Sequence, residues 1–383
     1  MKTLHLTWIA FFITFVTWFN LAPLLEDIQQ TFGLTSMQIK TLLVLNVSLA
    51  IPARIIVGMM TDQYGPRKVY SGLLFLAAFP CFAFAFSTNF TQLAIARFLL
   101  GFIGAGFVID IRMVSEWFPH HQLGTAEGIY GGWGNFGSAV AAFTLPTLAL
   151  MFGGEDGWRY AVAITGLICL FYSFVYYANV RDVPEGSHYF KPRSKAAMEV
   201  TSKADLLGLL IMKVPLYLAL ALLAWNLTKA GMLTDTMKIS IWVGLAIVYV
   251  LDSRMAYKVN MPRIRAGIPE IQRYKFKQVA VLNILYFATF GSELAVISML
   301  PLFFAKTFGL SAVAAGMIAA GYAFMNLMSR PGGGWISDRF GRKSTLLILT
   351  AGLALGYLAM SFIGSDWSVW AALLVAMACS FFV

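Results

Sequence analysis

Twelve apolar segments, each about as long as a bilayer crossing, dominate this chain of 383 residues. A window of about 19 residues places them at 4–25, 38–60, 69–87, 91–115, 124–152, 159–180, 206–226, 238–258, 277–305, 311–336, 345–364 and 367–383. The chain is 59% hydrophobic and 12% charged, whereas a soluble domain is roughly 45–50% apolar and about 25% charged. A water-soluble fold of this size could not cover so much apolar surface. The pattern predicts an all-α integral membrane protein.

The basic charge follows the positive-inside rule. The chain carries a net charge of +10. If its first residue is cytoplasmic, 19 cations fall in the inside connections and five in the outside ones. This asymmetry predicts a multi-pass protein of the cytoplasmic (inner) membrane with a cytoplasmic N-terminus. Orientation in the lipid bilayer thus explains the net positive charge, and nucleic acid is not needed as a partner.

The sequence gives no pattern of a cofactor, metal or catalytic site. Cys81, Cys169 and Cys379 lie in apolar segments without pair spacing, which predicts buried, inert thiols. The four histidines form no metal-ligand pattern. Because nucleotide motifs and nucleophile-base arrangements are also lacking, an enzyme or an ATP-driven pump is disfavoured.

A loop motif occurs twice, as GMMTDQYGPRK after segment 2 and GGWISDRFGRK after segment 10. In both copies an aspartate stands three residues before a glycine that cations follow. The glycine permits a tight turn, and the cations remain at the inner membrane face. The motif residues predicted to have gating or structural roles are Gly58, Asp62, Gly65, Arg67, Asp338, Gly341 and Arg342.

This pair of loops resembles the signature of the major facilitator superfamily, in which each six-helix half carries it between the second and third helices. Arg97, in RFLLG on segment 4, is similar to the fourth-helix motif of that superfamily, which implies a structural or gating role. The resemblance implies a major facilitator fold of two pseudo-symmetric halves.

The second copy stands two segments later than that fold requires. Segments 206–226 and 238–258 are therefore expected to be an inserted hairpin, and the last two helices are expected to be missing. The predicted division is an N-terminal six-helix bundle (1–180), a linker with the hairpin (181–276) and an incomplete C-terminal bundle with four of six helices (277–383). The alternative, a complete twelve-helix protein, misplaces the repeat.

Two arginines lie inside apolar segments, where a charge costs about 2.5–3.5 kcal/mol on insertion scales. Arg54 and Arg330 each stand eight residues before the aspartate of their loop copy, so they are related by the repeat. Two guanidiniums that meet near the midplane suit a planar oxyanion. Neutralisation by acids is the alternative, and it is disfavoured because only Asp110 and Glu293 lie well within segments.

The stretch GGWGNFGS (131–138) contains a literal G-x-G-x-x-G, which in another context would suggest a dinucleotide loop. No strand pattern precedes it, so a glycine-lined helix face is favoured. Such a face lets membrane helices pack closely. Close packing alone would be satisfied by alanine or serine, and it does not require the amide of Asn135. Asn135 is therefore predicted to contact a substrate.

The sequence GIYGGWGNFGSAVAAF (128–143) is similar to the glycine-rich signature of the nitrate/nitrite porter family, and the hairpin resembles its cyanobacterial members. This resemblance implies that Arg54 and Arg330 grip the anion. The other implied substrate contacts are Asn135 with the adjacent Gly134, the donor Tyr286, and the flanking aromatics Phe290 and Phe19. The family carries a second signature on its eleventh helix, which is one of the two helices expected to be missing.

The predicted function is secondary active transport of nitrate and nitrite by alternating access, with a monomer as the transport unit. Asp110 and Glu293 are the candidates for proton coupling as a symporter, whereas nitrate/nitrite exchange as an antiporter needs no titrating group. The alternatives are a carrier for another small anion or an organic substrate, and a truncated product that does not transport.

Overall fold

In this computed structural model the described residues are 2–153, 156–189, 191, 198–270 and 273–383. They form α-helices and one 3-10 helix, and no described residue lies in a strand. The elements are α1 (Lys2–Trp18), α2 (Leu21–Phe32), α3 (Ser36–Ser48), α4 (Ala50–Tyr64), α5 (Pro66–Ala85), α6 (Phe90–Leu100), the 3-10 helix (Gly101–Ala105), α7 (Gly106–Trp117), α8 (Leu123–Phe152), α9 (Gly157–Asn179), α10 (Lys203–Lys229), α11 (Asp235–Ala266), α12 (Phe276–Phe308), α13 (Ala312–Phe340), α14 (Arg342–Met360) and α15 (Val369–Phe381).

The helical stretches are long and apolar enough for a multi-pass membrane protein. Within the described ranges, 11 stretches meet this condition. They match the first eleven predicted segments, and α10 and α11 correspond to the two segments of the expected hairpin. The twelfth predicted segment, 367–383, contains the 13 residues of α15, which is shorter than the roughly 20 residues of an ordinary crossing.

Two compact units divide the chain. The first unit consists of residues 1–191 and 292–383, and the second of residues 192–291. The second unit holds the α10–α11 hairpin, where Lys213 pairs with Asp252 at 2.8 Å. The three-part division predicted from the repeat remains a prediction.

Besides segment 91–115, which contains the 3-10 helix, two predicted segments of the first unit are broken rather than continuous. Segment 4–25 divides between α1 and α2 after Trp18, and segment 38–60 divides between α3 and α4 at Leu49. In each case a proline follows closely, Pro23 in α2 and Pro52 in α4. Proline has no N–H, so the carbonyl four residues earlier loses its helical partner.

Arg97 fixes both breaks. Its guanidinium is fully buried and donates to the Trp18 carbonyl and to the side chains of Asn20 and Asn46. The Trp18 indole in turn donates to the Asn46 carbonyl at 2.7 Å. Gly104, in the 3-10 helix, lies so close to Trp18 that a Cβ atom there would approach the ring to 2.6 Å. Arg97 therefore joins three interrupted segments through neutral acceptors, and its predicted structural or gating role stays a prediction.

The two loop copies use their aspartates differently. Asp338, at the end of α13, accepts from the backbone N–H of Thr125 at 2.9 Å and from its hydroxyl at 3.1 Å. Thr125 lies in the first turn of α8, where free N–H groups and the helix dipole favour an anion. Asp62, at the end of α4, instead lies 3.9 Å from Arg112 and is 45% exposed. The glycines after them, Gly65 and Gly341, adopt φ of 87° and 99°, which accounts for glycine at both turns.

We expect Asp338→Asn to lower the free energy of unfolding by about 1 kcal/mol, because a charged acceptor at a helix start becomes neutral. Asp62→Asn is the matched control, with an expected loss of at most about 0.5 kcal/mol, since exposed ion pairs contribute little. The midpoints of thermal denaturation in detergent would measure both. Equal shifts in the two variants would contradict the assignment.

Candidate functional site

The glycine-rich face of α8 packs against α13 with backbone on backbone. The two helices run antiparallel, and close approaches pair Gly124 with Gly334, Gly128 with Arg330, Gly132 with Asn326, and Ala142 with Gly316. A Cβ atom on Gly128 would stand 2.4 Å from the Arg330 carbonyl oxygen, and one on Gly132 would stand 2.9 Å from the Asn326 carbonyl oxygen. α13 therefore lies directly along the stretch GGWGNFGS.

This contact corrects one expectation from the sequence. We expected that alanine or serine would satisfy the packing, but a methyl group at Gly128 would collide with backbone atoms that cannot rotate away. Gly137 shows the same limit on another side of α8, where a Cβ atom would stand 2.3 Å from the Phe12 carbonyl oxygen of α1. The glycines are thus explained by packing, and Asn135 is the residue that packing leaves unexplained.

Arg330 is paired with an acid. Its Nη2 atom lies 2.7 Å from Oε2 and 2.8 Å from Oε1 of Glu293, on α12. The Glu293 side chain is 1% exposed and that of Arg330 is 19% exposed. The expectation that acids would not neutralise the arginines is therefore wrong for Arg330. Pairing reduces the cost of holding either charge away from water.

Two amides complete the cluster around Glu293. Asn135 on α8 and Asn326 on α13 each donate from Nδ2 to Oε1 of Glu293 at 2.8 Å. Both asparagines are buried. The Oδ1 atom of Asn135 and the Nε atom of Arg330 are also buried, and neither has a hydrogen-bond partner among the described residues. We call Asn135, Glu293, Asn326 and Arg330 the carboxylate cluster.

Arg54 occupies a different environment on α4. Its Nε atom donates to the Gly104 carbonyl at 3.1 Å, and its guanidinium lies over the Phe107 ring, 5.4 Å from the ring centroid. A cation over an aromatic face is stabilised by the ring quadrupole. Phe107 did not stand out in the sequence.

The Phe107 ring and the Arg330 side chain lie beside consecutive residues of α8, Tyr130 and Gly131. The Phe107 ring, which lies under the Arg54 guanidinium, has its centroid 6.3 Å from that of the Tyr130 ring. The next residue, Gly131, lies beside Arg330, and a Cβ atom there would be 3.6 Å from Nη1.

Other predicted substrate contacts have packing partners in the first unit. Gly134 lies against the Phe11 ring, where a Cβ atom would overlap Cδ1 at 1.7 Å. Phe19 is 1% exposed and packs on Phe15, with ring centroids 5.4 Å apart. It also lines a small cavity with Ser138. For both residues a substrate contact stays a prediction.

Two of the predicted substrate contacts, Tyr286 and Phe290, lie in the second unit. Tyr286 and Phe290 are on the part of α12 before residue 292, and their rings stack with centroids 5.2 Å apart and an interplanar angle of 6°. Their predicted roles as anion donor and flanking aromatic remain predictions.

Asp110 lies apart from the carboxylate cluster, on α7. It is fully buried and accepts from the Tyr70 hydroxyl at 3.0 Å, and the Tyr70 ring packs edge-on against Tyr176. The three cysteines are buried, as predicted, and form no disulfide with each other. Proton coupling by Asp110 stays a prediction.

Comparison with known proteins identifies the family. A model described as the Major Facilitator Superfamily matches residues 7–383. The nitrate/nitrite transporter NrtP of Picosynechococcus sp. is 48% identical, over 100% of this chain and 77% of that protein. NrtP of Nostoc punctiforme is 47% identical, over 100% of this chain and 78% of that protein.

A solved structure supports the fold alone. The xylose transporter XylE from E. coli, in a partially occluded inward open conformation, is similar with a TM-score of 0.58 and 15% identity, over 99% of this chain and 80% of that chain. The family model and the two full-chain relatives confirm the superfamily and the branch expected from the loop motifs and the glycine-rich signature. The chain belongs to the major facilitator superfamily and, within it, to the nitrate/nitrite porter family of the cyanobacterial type.

Proposed function

We propose that this chain is a secondary active transporter of nitrate and nitrite, and not an enzyme. The observation that carries the proposal is the identity of 47–48% over the whole chain to two nitrate/nitrite transporters. The two partly buried arginines of the first unit, Arg54 and Arg330, are consistent with an anionic substrate. An arginine fork presents parallel N–H groups that match a planar oxyanion, and nitrate and nitrite are both planar.

In this proposal Arg54 and Arg330 both bind the anion. Arg54 is already supported by the Gly104 carbonyl and the Phe107 ring. Arg330 has a buried Nε atom without a partner among the described residues, which is a donor for a substrate oxygen. Asn135, Gly134, Tyr286, Phe290 and Phe19 complete the proposed contacts, as the family resemblance implies.

Alternating access follows from rocking of helical bundles about a central site, the general mode of secondary transporters with repeated halves. We propose a cytoplasmic membrane location, with the N-terminus in the cytoplasm and one chain as the transport unit. The distribution of 19 inside and five outside cations supports this orientation.

The test is uptake of labelled nitrate into proteoliposomes that contain this chain. We expect saturable uptake that excess nitrite inhibits, because both anions would compete for the same arginines. Protein-free liposomes and heat-treated protein provide the controls.

Two outcomes would contradict the proposal. Uptake no greater than that of protein-free liposomes would remove the transport function. Uptake inhibited equally by chloride, sulfate or formate would favour a carrier for another small anion, which is the second candidate function.

A further inference from the structure

The carboxylate cluster already holds a planar anion. Glu293 has two equivalent oxygens around one carbon, and it accepts from the arginine and from the α8 amide that are proposed to hold nitrate, namely Arg330 and Asn135. A carboxylate and nitrate share planar geometry, delocalised negative charge and a preference for the guanidinium fork. Glu293 is thus chemically a tethered equivalent of the substrate.

Simultaneous binding of the Glu293 carboxylate and nitrate to Arg330 is unfavourable. Glu293 is 1% exposed, and its oxygens take all the hydrogen bonds that the Arg330 Nη2 atom makes to described residues. A nitrate ion brought to the same guanidinium would place two negative charges beside one cation in a site with little water. Two negative charges that contact the same guanidinium repel strongly where the dielectric constant is low.

Given the groups that face Glu293, its negative charge is removed by protonation of the carboxylate. On α13 they are Arg330, Asn326 and the phenol of Tyr322, on α14 the phenol of Tyr357, and on α8 Asn135. Within the described residues Arg330 is the one cation that bonds to this carboxylate. No second cation from those ranges could neutralise Glu293 when Arg330 turns to a substrate.

We propose that Glu293 is a displaceable internal counter-anion, and that it couples one proton to each nitrate by releasing Arg330 when it is protonated. Nitrate then takes the place of the carboxylate on the guanidinium, while the neutral acid stays hydrogen-bonded to the amides of Asn135 and Asn326. The balance is one hydronium ion consumed to convert the carboxylate to the acid, with release of water. On the opposite side of the membrane the acid returns its proton to water and recaptures Arg330 as the anion leaves.

This inference rests on the proposed function. It assigns proton symport to the same site, with Glu293 instead of Asp110 as the titrating group. Nitrate binding should tighten as the pH falls, because protonation of Glu293 frees Arg330. One linked proton corresponds to a change of up to tenfold in Kd per pH unit.

The test compares wild type, Glu293→Gln and Asp110→Asn in proteoliposomes with a pH dye inside, together with nitrate titration of the purified proteins in detergent between pH 5.5 and 8.5. Wild type should acidify the lumen on nitrate entry, and its Kd for nitrate should decrease as the pH decreases. In Glu293→Gln we expect a Kd that is independent of pH and at least as low as that of wild type at pH 8. Any nitrate/nitrite exchange that remains in this variant should carry no proton flux. Asp110→Asn should keep the proton flux.

The outcomes separate the two proposals. Nitrate/nitrite exchange by wild type without proton flux would overturn the role of Glu293 and leave the transport function intact. Proton-coupled uptake retained by Glu293→Gln, or lost only in Asp110→Asn, would also overturn it. Absence of any anion flux in wild type, with nitrate binding absent as well, would overturn both.

Discussion

Replacement of Arg330 by glutamine is expected to reduce nitrate uptake about 100-fold. Arg330 contacts the carboxylate of Glu293 through Nη2 and presents a second, buried donor at Nε. Loss of one partner of a buried, hydrogen-bonded charge pair costs about 2–5 kcal/mol, and about 1.4 kcal/mol corresponds to tenfold in binding. Initial rates of uptake in proteoliposomes, corrected for the amount of inserted protein, would measure this loss.

The same substitution should destabilise the protein, because it leaves Glu293 buried without its cation. Removal of one partner from a buried ion pair costs about 3–5 kcal/mol. The double variant Arg330→Gln with Glu293→Gln removes both charges, so we expect it to regain most of the thermal stability. If Arg330 binds the anion, the double variant still fails to take up nitrate. Recovery of uptake together with stability would show that Arg330 has a purely structural role.

Arg54→Lys tests the other cation without removing its charge. A lysine ammonium is a point charge that cannot form the parallel donors of a guanidinium. We expect at least a tenfold loss of uptake with little change in stability, since the Gly104 carbonyl can still accept from the ammonium. Uptake at the wild-type rate in Arg54→Lys would contradict the two-arginine site.

The positions of the membrane helices followed from hydrophobicity because the bilayer requires about 20 apolar residues for each crossing. The breaks at Trp18 and Leu49 did not follow. A proline is not sufficient to break a membrane helix, since Pro80, Pro146 and Pro331 lie inside continuous helices. The breaks need a second cause, which is the capture of the Trp18 and Asn46 region by Arg97. That contact joins residues at least 50 positions apart and has no local signature.

The sequence offered Arg330, Asn135 and Glu293 as candidates, but it indicated neither Asn326 nor the pairing of Arg330 with Glu293. The repeat located Arg54 and Arg330, and the glycine-rich stretch located Asn135. The pairing of Arg330 with Glu293 depends on which face α12 turns to α13, and a helix that is apolar on all sides gives no such information. The sequence did offer one signal, because an acid inside a membrane segment requires a partner.

Gly128→Ala is expected to lower nitrate uptake roughly 10- to 100-fold and to destabilise the protein. The added Cβ atom would stand 2.4 Å from the carbonyl oxygen of Arg330, 2.9 Å from its carbonyl carbon and 3.0 Å from Cα of Pro331. All three are backbone atoms, so α13 as a whole must move away from α8 by about 1 Å to reach ordinary contact distance. Overpacking of this kind costs about 1–3 kcal/mol, and it displaces the residue that carries the guanidinium.

Gly332→Ala is the matched control, because it makes the same substitution on α13 two residues after Arg330. A Cβ atom at Gly332 meets no atom within 4 Å among the described residues, so we expect uptake within about twofold of wild type and an unchanged denaturation midpoint. The contrast separates two explanations of the glycine-rich face. If glycine were needed for flexibility of the helix, both variants would lose transport, since alanine stiffens a helix wherever it is placed. Loss in Gly128→Ala alone would mean that α8 needs glycine so that α13 can bring Arg330 close to Asn135.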